Sequence, residues 1–166
     1  MTDPTFGAKL QKDGKTYAIQ TRIPAGVVTP DQLETIARVA REYHIPLVKL
    51  TLGQRFLLVG VEEKDIPAIR KELGNLGHAS IAPGVRYVQS CPGGTYCKNG
   101  LQDSLSLARA ISDEYQGQDF PGKIKIGVSG CPRCCGESRV RDVGAIASTK
   151  GWTVYFGGHS ILSILS

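Results

Sequence analysis

The sequence predicts an α+β fold, in which a half-plait of antiparallel strands and helices is followed by an α/β subdomain. Two observations support this class. Between residues 17 and 77 the hydrophobic pattern alternates between strand and helix periods, in the order strand, helix, strand, helix. Further along, two strand patterns each lead into a loop rich in glycine, proline and cysteine. We expect residues 1–80 and 81–166 to form the two parts, because 166 residues suffice for two small subdomains.

The first half begins with a strand and a clearly marked helix. Residues 17–22 alternate with the period of two that is typical of a strand, and a turn follows at 24–26. Residues 29–32 (TPDQ) give a hydroxyl N-cap, a proline at the first helical position and a glutamine three after the cap. We expect this helix to end near His44, ahead of Pro46. Its predicted inward face consists of Leu33, Ile36, Ala37, Ala40 and Tyr43.

A pair of strands and a second helix complete the half-plait. Residues 48–61 are rich in β-branched and aliphatic side chains, and Gly53 predicts a bend between two extended stretches. A helix begins near residue 65 and ends at Gly74 or Gly77. It is expected to bury Ile66, Ile69 and Leu73.

The second half places cysteine loops after strands. A short strand at 86–88 runs into the first loop, and a helix is expected over 99–115. The expected inward face of that helix consists of Leu101, Leu105, Ala108, Ile111 and Tyr115. A strand at 123–128 runs into the second loop, and two further strands are expected at 143–147 and 152–156.

Composition limits the function classes. Twenty Lys and Arg against fifteen Asp and Glu give a net charge of +5, without a block of like charges. This mild excess argues against a nucleic-acid partner and suits a small anionic substrate in a positive cleft. No apolar run approaches the roughly 20 residues that span a bilayer, and the N-terminus is unlike a signal peptide. We therefore expect a cytoplasmic protein without a membrane segment, whose five cysteines serve metal or redox chemistry rather than disulfides.

Four of the five cysteines form two spaced pairs, Cys91-x5-Cys97 and Cys131-x3-Cys135. Four thiolates suit either an iron–sulfur cluster or a structural zinc ion. Cys131-x2-Cys134 has the spacing of a zinc knuckle, whereas Cys91-x5-Cys97 is too wide for one and suits a bulkier group. The spacing favours an iron–sulfur cluster and leaves zinc and unliganded buried thiols as alternatives.

The two cysteine segments resemble the C-x5-C and G-C-P-N-x-C pair of siroheme-dependent sulfite and nitrite reductases. In the second segment, 130–136 (GCPRCCG), Arg133 replaces the usual asparagine and Cys134 fills the variable place, so Cys135 matches the fourth family cysteine. In the first half, residues 21–29 resemble the family motif R-[LI]-P-G-G-x-[IL]-T, and residues 50–56 resemble T-x-R-Q-x-[FI]. The likeness covers about residues 15–158, in the family's order.

The resemblance implies a fold and two cofactors. Residues 1–80 would be the ferredoxin-like half domain, and 81–166 the siroheme and 4Fe–4S binding domain. The 4Fe–4S cluster would be held by Cys91, Cys97, Cys131 and Cys135, of which Cys135 would also ligate the siroheme iron. The family continues past this chain's glycine pair at 157–158 with basic residues, so we expect the C-terminal domain to be truncated or to hold the siroheme loosely.

The resemblance also implies a set of polar site residues. The family binds its oxyanion with two arginines and two lysines, which match Arg22, Arg86, Lys123 and Lys125. The two lysines are two apart on a strand and therefore share a face. Gln54 and Arg55 are expected to contact siroheme carboxylates, and Tyr96 in the first cysteine loop is expected to be a packing residue.

The implied activity is the six-electron reduction of sulfite to sulfide or of nitrite to ammonia. Two other functions stay open: a non-catalytic iron–sulfur electron-transfer or regulatory subunit, and a zinc-stabilised binding module. The sequence contains no nucleotide-binding loop, so a protein electron donor is expected. Family members of the larger type contain two copies of this module, so a single copy implies a homodimer or a partner subunit.

Overall fold

The structure is a computed structural model that describes residues 7–77, 84–115, 118 and 120–158. The chain divides into two compact units, Met1–Ile23 with Val27–Ala79, and Pro24–Gly26 with Ser80–Ser166. Each unit contains one four-stranded sheet with helices, so the α+β class predicted from the sequence is confirmed. In the part of the chain that the structure describes, none of the helices has the length and apolar character needed to cross a bilayer.

The first unit is an antiparallel sheet packed against two helices. Its elements are β1 (Lys9–Leu10), β2 (Thr16–Gln20), α1 (Pro30–Glu42), β3 (Leu47–Leu50), β4 (Phe56–Glu62) and α2 (Ile66–Leu73). The strands lie in the order β1-β2-β4-β3, and all neighbouring pairs are antiparallel. Ile19 and Leu58 from the sheet are buried with Ile66 and Ile69 from α2, and they form the centre of the core. The predicted bend at Gly53 lies in the turn between β3 and β4.

Helix α1 begins as predicted, and its predicted face is confirmed at Ile36, Ala40 and Tyr43 but not at Leu33. The Thr29 side chain accepts a hydrogen bond from the backbone of Gln32, and the Gln32 side chain accepts one from the backbone of Thr29. The predicted inward position Leu33 is 44% exposed, whereas Val39, which was not in the predicted face, is completely buried beside Ile36. Both arrangements give an amphipathic helix, and packing against the sheet selects the one that contains Val39.

The second unit is a mixed sheet. Its elements are β5 (Gly84–Ser90), α3 (Gly93–Tyr96), α4 (Ser104–Tyr115), β6 (Lys123–Ser129), β7 (Val143–Ser148) and β8 (Gly151–Phe156). The order is β5-β6-β7-β8, with the first two pairs parallel and the last antiparallel. Helix α4 packs on β5 and β6, and the turn Pro24–Gly26 packs on β5 and α4. Ala25 in this turn is buried and has a positive φ of 56°.

Helix α4 is shorter than the sequence predicts, and its predicted inward face is confirmed at Ala108 but not at Leu101 or Tyr115. It begins at Ser104 rather than near residue 99, because the Asp103 side chain accepts hydrogen bonds from Ser106 and caps the first turn. The predicted inward residues Leu101 and Tyr115 are exposed. The residues that α4 buries are Ser104, Ala108 and Ser112. Small side chains let the helix approach the strands closely, and a search for large apolar residues misses such a face.

A segment that follows the second cysteine loop crosses one face of the second sheet in very close contact. A Cβ atom on Gly127 of β6 would lie 2.6 Å from the Gly136 carbonyl oxygen and 2.9 Å from the Arg141 side chain. Gly144 of β7 has the same restriction, since its Cβ would collide with the Ser138 carbonyl. Only glycine therefore fits beneath residues 136–141 at these two positions.

Replacement of Gly127 by alanine is expected to lower the free energy of unfolding by about 1–3 kcal/mol, because the added methyl group overlaps the Gly136 carbonyl. Gly122→Ala is the matched control, since a Cβ at Gly122 would meet nothing within 4 Å. Both substitutions lower the conformational entropy of the unfolded chain equally. The difference between their free energies of unfolding therefore reports the contact with the Gly136 carbonyl. Urea unfolding followed by circular dichroism measures the two free energies of unfolding. Equal stability of the two variants would contradict the close packing at Gly127.

Candidate functional site

The two cysteine loops meet at one edge of the second sheet. Because β5 and β6 are parallel neighbours, their carboxyl ends lie side by side, and Cys91 and Gly130 follow them directly. The Gly130 N–H donates to the Cys91 Sγ at 3.1 Å, and the Cys91 N–H donates to the Val128 carbonyl at 3.3 Å. The first cysteine of one pair is therefore in contact with the residue that precedes Cys131 of the other.

Glycines allow the two loops to approach each other. A Cβ on Gly130 would lie 2.7 Å from the Gly93 Cα. The Leu101 N–H donates to the Gly130 carbonyl at 2.7 Å, and the Gly94 N–H donates to the Gln102 carbonyl at 2.8 Å. At Gly130 the absent side chain leaves room for the facing loop, and at Gly93 it leaves room for Ser104, whose Oγ would lie 2.4 Å from a Cβ.

Ser104, which the sequence analysis did not select, contacts Cys91. The Ser104 hydroxyl is completely buried, donates to the Cys91 carbonyl at 2.8 Å and lies 3.4 Å from the Cys91 Sγ. The Gly130 N–H therefore donates to the Cys91 sulfur, whereas the Ser104 hydroxyl donates to the Cys91 carbonyl and contacts the sulfur. A serine at the first position of a helix that follows a cysteine loop is the sequence signal that could have identified it.

The remaining cysteines differ in exposure and conformation. Cys131 is buried, Cys97 and Cys134 are half-buried, and Cys135 is exposed. Cys134 has a left-handed φ of 59°, and its N–H donates to the Cys131 carbonyl at 3.2 Å. This tight turn reverses the chain, so that the residue after Cys135, Gly136, packs over β6.

The cysteine side chains of the two loops have the chemistry of an iron–sulfur ligand set. All five cysteines lie in the described ranges, yet within those ranges no three His, Cys, Asp or Glu side chains converge to hold one metal ion. Each iron of a 4Fe–4S cluster binds a different cysteine, so four thiolates spread over two facing loops suit it.

Three of the four predicted cations lie close together on the second sheet. Alternation places Lys123, Lys125 and Gly127 on one face of β6, and both lysines are exposed. Arg86 is the extra residue of a bulge in β5, since Val85 pairs with Ile124 and Tyr87 pairs with Lys125. Bulges redirect side chains and are frequent beside active sites.

The face that carries the lysines is also the face to which Cys135 returns. Gly136 packs against Gly127, two residues along β6 from Lys125. The Lys125 N–H donates to the Asp142 carboxylate at 2.7 Å, which fixes the backbone of the strand at this point. The segment from Cys135 to Asp142 and the two lysines therefore belong to one surface of the second unit.

The other three predicted site residues belong to the first unit. Arg22 is half-buried at the end of β2, and its N–H donates to the Leu76 carbonyl at 2.9 Å. Gln54 has a left-handed φ of 57° in the turn between β3 and β4, and Arg55 next to it is buried. Their contacts with substrate or siroheme stay predictions.

A polar network that the sequence analysis missed anchors the segment after Cys135. The buried Gln89 side chain donates to the Gly136 carbonyl at 2.8 Å. The Gly136 N–H donates to the Ser129 hydroxyl at 3.0 Å, and that hydroxyl lies 2.8 Å from the Ser138 hydroxyl. A further contact joins Arg141 to the Tyr87 hydroxyl at 2.9 Å. Polar residues at buried strand positions are the sequence signal that could have identified this network.

The exposure of Tyr96 contradicts the prediction that it is a packing residue. Its side chain is 77% exposed, although it lies directly before Cys97 in the first cysteine loop. Helix α3 is a single turn, and it directs this residue away from the glycine contacts that join the loops.

Comparisons with known proteins match both halves of the chain. Residues 9–76 match the family described as the nitrite/sulfite reductase ferredoxin-like half domain, and residues 81–161 match the nitrite and sulphite reductase 4Fe-4S domain. An assimilatory-type sulfite reductase of Nitratidesulfovibrio vulgaris is 50% identical over 161 residues, which are 96% of this chain and 73% of that protein. An NAD(P)H nitrite reductase of Bacillus subtilis is 40% identical over 92% of this chain, but the match spans 19% of its length.

A solved structure shows the same fold. The NirA protein of Mycobacterium tuberculosis aligns with 95% of this chain and 31% of its own, with a TM-score of 0.74. Its sequence identity is 19%, so this likeness concerns the architecture alone.

Two adjacent cysteines distinguish the possible ligand sets. Cys135→Ser is expected to lower the iron and acid-labile sulfide content of the protein to a small fraction, because a cluster ligand is lost. Cys134→Ser, the matched control, should keep both, since this residue occupies the turn position. Metal and sulfide analysis of anaerobically purified protein measures the effect. Loss of iron and sulfide in Cys134→Ser alone would instead assign the fourth cluster ligand to Cys134.

Proposed function

The chain belongs to the nitrite and sulfite reductase family, as its motifs predicted, and from this premise we propose that it reduces sulfite to sulfide with a 4Fe–4S cluster and siroheme. The main support is the relative named as an assimilatory-type sulfite reductase, which is half identical to this chain over nearly three quarters of its own length. Sulfite would take up six electrons, and its three oxygens would leave as water.

Four cysteines would hold the cluster: Cys91, Cys97, Cys131 and Cys135. Cys135, exposed on the face of β6 that carries the lysines, would be shared with the siroheme iron. The cluster and siroheme together supply single electrons at the metal where the oxyanion is reduced.

Hydrogen bonds from the protein would tune the cluster. The Gly130 N–H donates to the Cys91 sulfur at 3.1 Å. Such hydrogen bonds stabilise negative charge on a thiolate and raise the reduction potential of the bound cluster.

Cations would bind the oxyanion and deliver protons. Arg86, Lys123 and Lys125 lie together on the second sheet, and Arg22 would add a fourth positive charge. Their charges offset those of sulfite and stabilise negative charge that develops on a departing oxygen. The ammonium groups of the lysines would donate protons, since a guanidinium keeps its proton at all accessible pH values.

Nitrite is the second candidate substrate. The Bacillus subtilis relative, which is named as a nitrite reductase, is 40% identical to this chain. Nitrite also carries negative charge and is similar in size to sulfite, so the same cations would bind it. Its reduction to ammonia also takes up six electrons.

Anaerobic purification and spectroscopy test the proposal. We expect siroheme absorption bands together with iron and acid-labile sulfide, and turnover of sulfite with reduced methyl viologen as the electron source. Parallel assays with nitrite rank the two substrates. A cluster without siroheme would identify an electron-transfer or regulatory subunit, and a colourless protein that contains zinc would identify a binding module. Either result would overturn the proposed reaction.

Lys125→Ala is expected to lower the rate of sulfite turnover about 100-fold, because a cation and proton donor is removed from the substrate pocket. The siroheme spectrum should stay unchanged, since no cofactor ligand is altered. Lys12→Ala, at an exposed turn of the first unit, is the control for loss of one lysine. An unchanged rate in Lys125→Ala would remove this residue from the mechanism.

A further inference from the structure

Gln89 is a buried polar residue beside the site, and it has no part in the proposed reaction. It is 3% exposed and is the Cα partner of Gly127 in β6, so both residues lie on the face that residues 136–141 cross. Its side-chain nitrogen donates to the Gly136 carbonyl at 2.8 Å and to the Glu137 carboxylate at 3.1 Å. A side-chain amide has two N–H donors, and both are used here.

These two acceptors fix the orientation of the Gln89 amide. A reversed amide would set its oxygen against a carbonyl and an ionised carboxylate, neither of which can donate a hydrogen bond. In the observed orientation the Gln89 Oε1 atom has no hydrogen-bond partner among the described residues. A buried acceptor without a partner lowers stability, so folding alone does not account for glutamine at this position. The two donors of its amide group do account for it.

The peptide that these donors hold is the one directly after Cys135. The Gly136 carbonyl accepts from Gln89, and the Gly136 N–H donates to the Ser129 hydroxyl at 3.0 Å. A Cβ at Gly136 would lie 2.2 Å from the Val128 carbonyl oxygen, so the backbone is in close contact with β6 here. Gly136 is therefore held by hydrogen bonds on both sides and packed against the strand.

Cys135 depends on this peptide for the direction of its side chain. The side chain is exposed, so packing does not enclose the thiol. The preceding residue, Cys134, has a left-handed φ of 59° and donates its N–H to the Cys131 carbonyl. Because a tight turn lies on one side and the held Gly136 on the other, the backbone sets where the Cys135 sulfur points.

A second contact with β5 holds the far end of the segment. Arg141 donates to the Tyr87 hydroxyl at 2.9 Å, and it is paired with Glu137, the second acceptor of Gln89. Tyr87 and Gln89 are two apart on β5 and lie on one face. Residues 136–141 are thus attached to the same strand at both ends, and Gln89 holds the end next to Cys135.

We propose that Gln89 is a positioning residue for Cys135. Its amide fixes the peptide after this cysteine, and so it sets the direction of the thiolate that the cluster and the siroheme iron would share. This inference rests on the proposed function, which gives Cys135 that role. Loss of the two donors would leave every cofactor ligand in place but change the angle at the shared sulfur, which governs how strongly the two metal groups are coupled.

Gln89→Met tests the inference in the full chain with its cofactors, since methionine has a similar length and no N–H donor. We expect normal iron, acid-labile sulfide and siroheme content, but altered magnetic coupling between the siroheme iron and the cluster. Mössbauer spectroscopy of protein grown with isotopically enriched iron measures this coupling. With sulfite and reduced methyl viologen, kcat should fall about tenfold while KM stays within about twofold, because the cations that bind the substrate are untouched.

Two controls separate positioning from a loss of stability. Val39→Ala shortens a completely buried side chain in the core of the first unit and lowers stability, yet it should leave the coupling and kcat unchanged. Gln118→Met makes the same chemical change at an exposed residue and should also leave both unchanged. Equal changes in Val39→Ala and Gln89→Met would overturn the inference. Coupling and kcat in Gln89→Met that match those of the original protein would overturn it too.

Ser129→Ala examines the same peptide if Gln89→Met fails to assemble its cofactors. It removes the acceptor of the Gly136 N–H and leaves Gln89 in place. Altered coupling in Ser129→Ala would support the control of Cys135 by this peptide, and coupling identical to that of the original protein would contradict it.

The outcome for Gln89 is separable from that for the reaction. A protein that holds the cluster without siroheme would overturn the proposed reaction. The reduced cluster then serves as the probe, because a moved thiolate changes its electron paramagnetic resonance spectrum and its reduction potential. Changes of both in Gln89→Met but not in Gln118→Met would support the positioning role even then, and identical spectra and potentials in the two variants would overturn it.

Discussion

The parallel pairing of β5 with β6 is the constraint on which the rest of the site depends. It brings the ends of two strands, about forty residues apart in sequence, to one edge of a sheet, and each strand continues into a cysteine loop. Glycines then determine how near the loops come, since a methyl group at Gly130 would collide with Gly93. Cysteine spacing alone would not bring the two loops together; the parallel pairing of the two strands does.

Features that depend on local sequence were predictable. The capping pair Thr29 and Gln32, the antiparallel first sheet and the two cysteine loops after strands all follow from short patterns with direct physical causes. The family motifs added the cofactors and the cations, because these involve residues far apart in sequence whose meeting no local pattern indicates.

Features that depend on close packing were not predictable. The buried face of α4 contains Ser104 and Ser112 beside the predicted Ala108; serines carry no hydrophobic signal, and Ser104 contacts Cys91 from that face. The path of residues 136–142 depends on Gln89, Ser129 and Ser138, which are polar residues that find their partners only in the folded sheet. Tyr96 was expected to pack because it is aromatic, but in the short turn of α3 its side chain is exposed.

The turn at Pro24–Gly26 limits where the chain can be divided between its two units. These three residues belong by their contacts to the second unit, although the chain before and after them belongs to the first. Ala25 in this turn is buried in a left-handed conformation, and the turn packs against β5 and α4. A cut of the chain between residues 79 and 80 would therefore separate this turn from the strand and helix of its own unit.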